Sequence, residues 1–268
     1  MIKNRHIGKL ELLSCEPQGE ARPTPLLFVH GAFAGGWIWA DNYLPWFAKK
    51  GYRAYAVSLR GHGGSDERES ISWHSIATYV EDVEDTINWL GEDPVLIGHS
   101  MGGFVVQKYL ERHTVPGVVL MCSAPPQGLA AAQFHLMMEK PELLGDMNRI
   151  MSGGYASVSA VRDSLFAQPV DEEVLRHFLA RMQAESHRAI WDMTAFNLLN
   201  FSSMHQPPML VLGAEKDVVI PPFLVQTTAR TYGLPDRIFR GMGHALTHEK
   251  DWQHVTKYIL AWLTENDF

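Results

Sequence analysis

The chain has 268 residues, 46% hydrophobic and 20% charged, enough for one large core and too apolar for extended disorder. Its formal charge of -7 argues against a nucleic-acid partner, which needs clustered Lys and Arg. No apolar run approaches the roughly 20 residues that span a bilayer. Cys15 and Cys122 have neither metal-like nor redox-like spacing, and Met1 to Ser14 lacks a signal-length apolar stretch, so the expectation is two reduced thiols in a cytoplasmic protein. Asn200-Phe201-Ser202 matches the glycosylation acceptor pattern, which without export is coincidence. Nothing specifies an oligomeric state.

Short continuous apolar runs bounded by turn residues occur at Leu26 to Val29, Arg53 to Ser58, Val95 to Gly98, Val118 to Cys122 and Met209 to Gly213. Continuous rather than alternating hydrophobicity suits parallel strands covered on both faces. From Ser75 to Leu90 the apolar Ile76, Tyr79, Val80, Val83, Ile87 and Leu90 follow helical spacing, with Glu81, Asp82, Glu84 and Asp85 expected largely on the opposite side. Strand and helix alternation predicts an α/β fold with a mostly parallel sheet. After Pro125-Pro126 the strand rhythm stops, and helix-like stretches follow at Leu129 to Glu139, Glu172 to Gln183 and Ser186 to Leu199. Pro207-Pro208 closes this region. The expectation is a core of residues 1–125 and 207–268, with residues 126–206 as a helical cap over the sheet's working edge.

In Pro94-Val95-Leu96-Ile97-Gly98-His99-Ser100-Met101-Gly102-Gly103, strand-like residues run into G-x-S-x-G, and a helix-compatible stretch, Phe104 to Arg112, follows. In that context the pentapeptide predicts a nucleophile elbow: a turn so sharp that only glycine fits two residues either side of the serine. The Ser100 hydroxyl is then held outward, and the N–H of Met101 is free to receive negative charge.

A serine hydroxyl needs a positioned base. His244 is the candidate, because it follows a strand-like run (Arg237 to Arg240) in a glycine-rich turn ahead of a last helix, Lys250 to Leu263. His248 is its nearest rival and is expected on the surface; His6, His113, His187 and His254 read as solvated or capping. Asp217, after the strand Met209 to Gly213, is the candidate to orient the histidine, with Glu215 as the alternative. The order Ser100, Asp217, His244 suits a nucleophile elbow. A second oxyanion donor should come from the small-residue loop His30-Gly31-Ala32-Phe33-Ala34-Gly35-Gly36; Ala32 N–H is preferred and Phe33 N–H is its rival.

Taken in order, His30-Gly31-Ala32, Gly98 to Gly103, Gly213 to Asp217 and Gly243-His244 resemble the oxyanion loop, elbow, acid turn and base loop of the α/β-hydrolase superfamily, across roughly Leu26 to Trp262. The stretch Val29 to Trp39 is similar to the branch of plant methylesterases and hydroxynitrile lyases, in which the residue after His-Gly donates its N–H; this supports Ala32. Many members carry Asp-x-Arg-Gly-x-Gly-x-Ser after the fourth strand, whereas here Ser58 stands in the aspartate's place, ahead of Leu59-Arg60-Gly61. Serine at position 100 sets the chain apart from dehalogenases and epoxide hydrolases, whose nucleophile is a carboxylate.

The resemblance implies two-step acyl transfer through an acyl-enzyme on Ser100, without metal or cofactor. The expected substrate is a small or medium hydrophobic ester. Its pocket is expected to draw on Phe33, Trp37, Phe134, Met137, Met138, Trp191, Met193, Phe196 and Phe223. The same triad would serve a thioesterase, a C–C bond hydrolase or a hydroxynitrile-lyase-like enzyme, and the fold could also be kept by a non-catalytic receptor.

Overall fold

The computed structural model describes residues 1–151, 154 and 157–268. Among these, β1 (Lys3–Ile7), β2 (Leu10–Cys15), β3 (Leu26–Val29), β4 (Ala54–Ser58), β5 (Val95–His99), β6 (Val118–Met121), β7 (Met209–Ala214) and β8 (Asp236–Phe239) form one sheet. The order is β1-β2-β4-β3-β5-β6-β7-β8. β1 and β2 are antiparallel to their neighbours, and β4 through β8 run parallel. Before β6 come α1 (Trp37–Ala40), α2 (Tyr43–Ala48), α3 (Ile76–Leu90) and α4 (Met101–Tyr109). Between β6 and β7 lie α5 (Ala130–Glu139), α6 (Pro141–Met151), α7 (Val158–Leu165), α8 (Glu172–Arg181) and α9 (His187–Trp191), and no strand among the described residues. α10 (Pro222–Thr231) precedes β8, and α11 (Trp252–Glu265) follows it.

The apolar strands face two cores in alternation, as the two-residue period of a strand requires. Leu27 and Val29 of β3 pack with Tyr79 and Val83 of α3, Phe104 of α4 and Val225 of α10. Leu26 and Phe28 point the other way, onto Trp39 of α1, Phe47 of α2 and Ile259 of α11. Phe28 is fully buried among the rings of Trp39, Tyr43 and Phe47, at 5.0 to 6.2 Å between centroids. Removing such a side chain from water contributes about 1.5–3 kcal/mol.

Two details differ from the sequence expectation. The β1–β2 hairpin was not predicted: β1 is an edge strand, exposed along Lys3 to His6, so it carries no apolar run. Asp82 does not lie on the solvent side of α3. It is buried on the packing face, where its Oδ2 accepts the Arg60 N–H at 2.8 Å and its other oxygen pairs with the Arg60 guanidinium.

The chain crosses from β4 over β3 to β5, so β3 and β5 are neighbours whose loops leave in opposite directions. Ligands gather at this switch point in open α/β sheets. Val29 is in register with Gly98, which sets the loop after β3 beside Ser100.

Candidate active site

Ser100 sits between β5 and α4 with φ 54° and ψ -118°, a backbone that L-residues rarely adopt. Its N–H donates to Met121 O at 3.0 Å, and its own carbonyl accepts from Gly103 and Ala124, both at 3.1 Å. A Cβ on Gly98 would lie 2.6 Å from Gly102 O; one on Gly102 would lie 2.4 Å from both Val29 O and His30 O. The two glycines are therefore a steric condition of the turn.

Asp217 follows β7 and is almost wholly buried. Its Oδ1 accepts the N–H groups of Val219 and Ile220 at 2.9 and 2.8 Å, and its Oδ2 lies 2.7 Å from His244 Nδ1. A carboxylate beside Nδ1 keeps the proton there and leaves Nε2 as the imidazole's lone pair. Glu215 is exposed and accepts the Gly241 N–H at 2.9 Å, away from His244. The thiol of Cys122, pushed up by burial, stands behind this pair. Ligand atoms of Cys122, Asp217 and His244 lie within 4.8 Å of one another, but Asp217 and His244 spend theirs on each other.

Ala32 and Met101 line the same cavity as Ser100 and His244. Among the described residues no chain acceptor meets either N–H. The rival donor is engaged: Phe33 N–H donates to Glu185 Oε2 at 3.1 Å. Phe33 itself has φ 64°.

The cavity has a volume of about 370 Å³ and is lined mostly by apolar side chains of α5 to α9 and of the core loops. Phe33, Trp191 and Met193 line it, with Leu136, Leu144, Met147 and Ile190. Trp37, Phe134, Met137, Met138, Phe196 and Phe223 do not. Trp37 is buried beneath α8, edge-on to Phe178 at 5.1 Å and under the Arg181 guanidinium. The other five are exposed and point away from the cavity: Phe134, Met137 and Met138 on α5, Phe196 in the turn after α9 and Phe223 at the start of α10. Among the described lining residues there is no Lys or Arg, and Asp146, paired with Arg149 at 2.8 Å, is their one carboxylate.

Four supporting residues escaped the sequence reading. His99 Nε2 meets the His244 carbonyl at 2.9 Å, and burial beside His244 holds this imidazole at about 3, hence neutral. Glu249 ties Gly243 to the end of α7, and Glu185 ties Phe33 to the stretch between α8 and α9. The place of the missing aspartate is filled from the next strand: Glu11 is the cross-strand partner of Ser58 and accepts its hydroxyl at 2.7 Å. His248, expected on the surface, is instead buried between Trp37 and Phe178, with Nε2 3.4 Å from Asp41. Contacts such as Glu11–Ser58, Glu185–Phe33 and His99–His244, made 47, 152 and 145 positions apart, leave no local pattern; nearness in sequence to Ser100 and His244 is the one available signal, for His99 and Glu249.

The elbow, the carboxylate–histidine pair and the sheet order define an α/β hydrolase. The chain belongs to the alpha/beta hydrolase family, whose model matches residues 26–254. It is 26% identical over 249 residues to the AB hydrolase superfamily protein YisY of Bacillus subtilis (strain 168), covering 89% of this chain and 90% of that one. A non-heme chloroperoxidase of Streptomyces lividans is 37% identical over 107 residues, 38% of this chain and 37% of that one. In fold, the chain is similar to the solved esterase EaEST from Exiguobacterium antarcticum, with a TM-score of 0.71, 19% identity and coverage of 98% and 100%. It is an enzyme of the hydrolase type. No helix among the described residues is long and apolar enough to cross a membrane.

Proposed function

We propose that the chain is a serine hydrolase that cleaves a small or medium hydrophobic carboxylic ester through an acyl-enzyme on Ser100. The carrying observation is that Ser100, His244, Ala32 and Met101 line one apolar cavity, with Asp217 on the far nitrogen of His244. His244 Nε2 takes the Ser100 proton as Oγ attacks the ester carbonyl, and the Ala32 and Met101 N–H groups receive the oxyanion. The tetrahedral intermediate collapses, and the leaving alkoxide departs with the proton from His244. Water, deprotonated by the same histidine, then attacks the acyl group and releases the acid and Ser100. Asp217 stabilises the imidazolium in both halves. The helices α5 to α9 act as a cap, and their apolar lining, without Lys or Arg among the described residues, favours neutral substrates over anionic ones such as a CoA thioester.

The test is incubation with a fluorophosphonate probe, mapping of the modified residue by mass spectrometry with Ser100→Ala as control, and an ester and thioester panel. Labelling at Ser100 with turnover of neutral esters supports the reading. A folded protein that neither labels nor turns over an ester rules it out.

A further inference from the structure

We propose that Glu185, reaching in from the segment between α8 and α9 and held by His62, is the positioning residue that sets the oxyanion-binding loop. This rests on the serine-hydrolase reading above and adds to it a device outside the triad.

The stretch Gln183 to Glu185 grips both peptide groups of Phe33. Glu185 Oε2 accepts the Phe33 N–H at 3.1 Å, and the Gln183 N–H donates to the Phe33 carbonyl at 3.1 Å. A non-glycine residue at φ 64° persists only where its surroundings over-determine it. The peptide plane between Ala32 and Phe33 is thereby fixed, one residue from the N–H that faces the cavity. The same stretch grips the loop after β4: Gln183 Oε1 accepts from Gly63 N–H at 2.9 Å, and its Nε2 donates to Gly61 O at 2.6 Å.

Four donors converge on the Glu185 carboxylate: Phe33 N–H, Ser186 N–H at 2.6 Å, Tyr79 OH at 3.2 Å and His62 Nε2 at 3.0 Å. An ionised carboxylate is acceptor-only and can take all four, whereas an amide would turn two donors into this shell. His62 presents its other nitrogen, Nδ1, to the Arg60 carbonyl at 3.0 Å. Both ring nitrogens face acceptors, so the ring is an imidazolium paired with Glu185. The remaining groups around it fit: His30 is a neutral ring at 4.9 Å that accepts the Leu59 N–H, Tyr79 is a ring at 5.6 Å, and Asp82 is spent on Arg60. Removing one member leaves the other's charge buried and uncompensated.

Since the oxyanion forms only during reaction, a displaced Ala32 N–H weakens transition-state binding and spares ground-state binding. The experiment compares wild type and Glu185→Gln for kcat and KM on a 4-nitrophenyl ester, for inhibition by an aliphatic trifluoromethyl ketone and for inhibition by the corresponding trifluoromethyl carbinol, which has the same shape and no electrophilic carbonyl. The ketone adds to Ser100 to form a tetrahedral oxyanion. The expected result is kcat down about ten- to hundredfold with KM nearly unchanged, as for a donor misplaced rather than deleted. Ketone affinity should fall by the same factor as kcat/KM, and carbinol affinity should hold. His62→Gln, which keeps a donor toward Glu185, should show the same pattern more weakly and serves if Glu185→Gln does not fold. Unchanged kcat and ketone affinity, or equal losses for ketone and carbinol, would overturn the assignment. An inactive, unlabelled wild type would instead bring down the hydrolase reading and this one with it, a result visible before any Glu185 variant is made.

Discussion

Glu249 accepts the Gly243 N–H at 2.6 Å, and the same carboxylate takes the N–H groups of Ala167 and Gln168 at 2.7 and 3.1 Å. Ala245 N–H completes the clasp by donating to Leu165 O at 2.8 Å. The turn that carries His244 is thus fastened to the end of α7 much as Phe33 is fastened to the stretch before α9. Glu249→Ala leaves three donors without their acceptor, the buried Gly243 N–H and the part-buried N–H groups of Ala167 and Gln168 that water can reach, and an unfolding curve in urea should show a loss of at least about 1–3 kcal/mol, the cost of one buried donor left unpaired. A midpoint equal to wild type would mean that the clasp holds nothing.

Ser100→Ala should lower turnover by about six orders of magnitude with the fold intact. Asp217→Asn should cost about four orders through the wrong imidazole tautomer. Glu215→Gln should be almost silent, since Glu215 is exposed and, among the described residues, its side chain bonds the Gly241 N–H alone. Steady-state rates on one ester decide all three. A larger loss for Glu215→Gln than for Asp217→Asn would exchange their roles.

Stability should depend on pH through His62 and Glu185. Interaction with Glu185 raises His62 above its ordinary 6.5 against the opposing pull of burial, so its contribution is complete below 6.5 and lost as pH rises through the folded value. Burial pulls Glu185 upward, but His62 and the backbone N–H groups outweigh it and lower the group below its ordinary 4.5, so its contribution is complete above 4.5 and lost as pH falls through the folded value. The difference in melting temperature between wild type and His62→Gln/Glu185→Gln should be largest between pH 4.5 and 6.5 and shrink on both sides. A difference independent of pH would mean that the pair is not ionised.

Ser58 and Glu11 should behave as one unit. Glu11 Oε2 accepts Ser58 Oγ at 2.7 Å and Gly64 N–H at 2.9 Å, while Ser58 Oγ accepts Gly36 N–H at 2.9 Å. Ser58→Asp alone sets two carboxylates side by side and should destabilise. Combined with Glu11→Gln, which removes one charge, it should recover much of the loss, giving a coupling of about 0.5–3 kcal/mol in a double-mutant cycle of melting curves. Strict additivity would show that the two sites are independent.

Substrate choice should follow the cavity and not the outer surface. Ile190→Ala and Leu136→Ala enlarge the cavity of about 370 Å³ and should shift the preferred ester toward bulkier acyl groups. Phe134→Ser and Met138→Ser, on exposed side chains, should leave the kcat/KM ranking across an ester series as it is. A reordered ranking for the outer variants would mean that substrate reaches the cavity across them.

What the sequence determined by itself is local. Apolar runs four to six residues long place the buried strands, and glycines two residues either side of Ser100 dictate a turn that no larger residue fits. The turns after β7 and β8 mark Asp217 and His244 by position along the chain. Hidden from it were the contacts across the fold that support this site from outside. That Trp37 packs under α8 while Trp191 lines the cavity depends on which face of each helix meets the core, and both faces of the inserted helices carry large apolar residues. Glu11, Glu185 and Glu249 read as ordinary surface carboxylates, since an acid chain is normally solvated. Only tertiary structure brings buried N–H donors, and for Glu185 an imidazolium, to meet them, and that convergence turns three unremarked acids into the supports of the site.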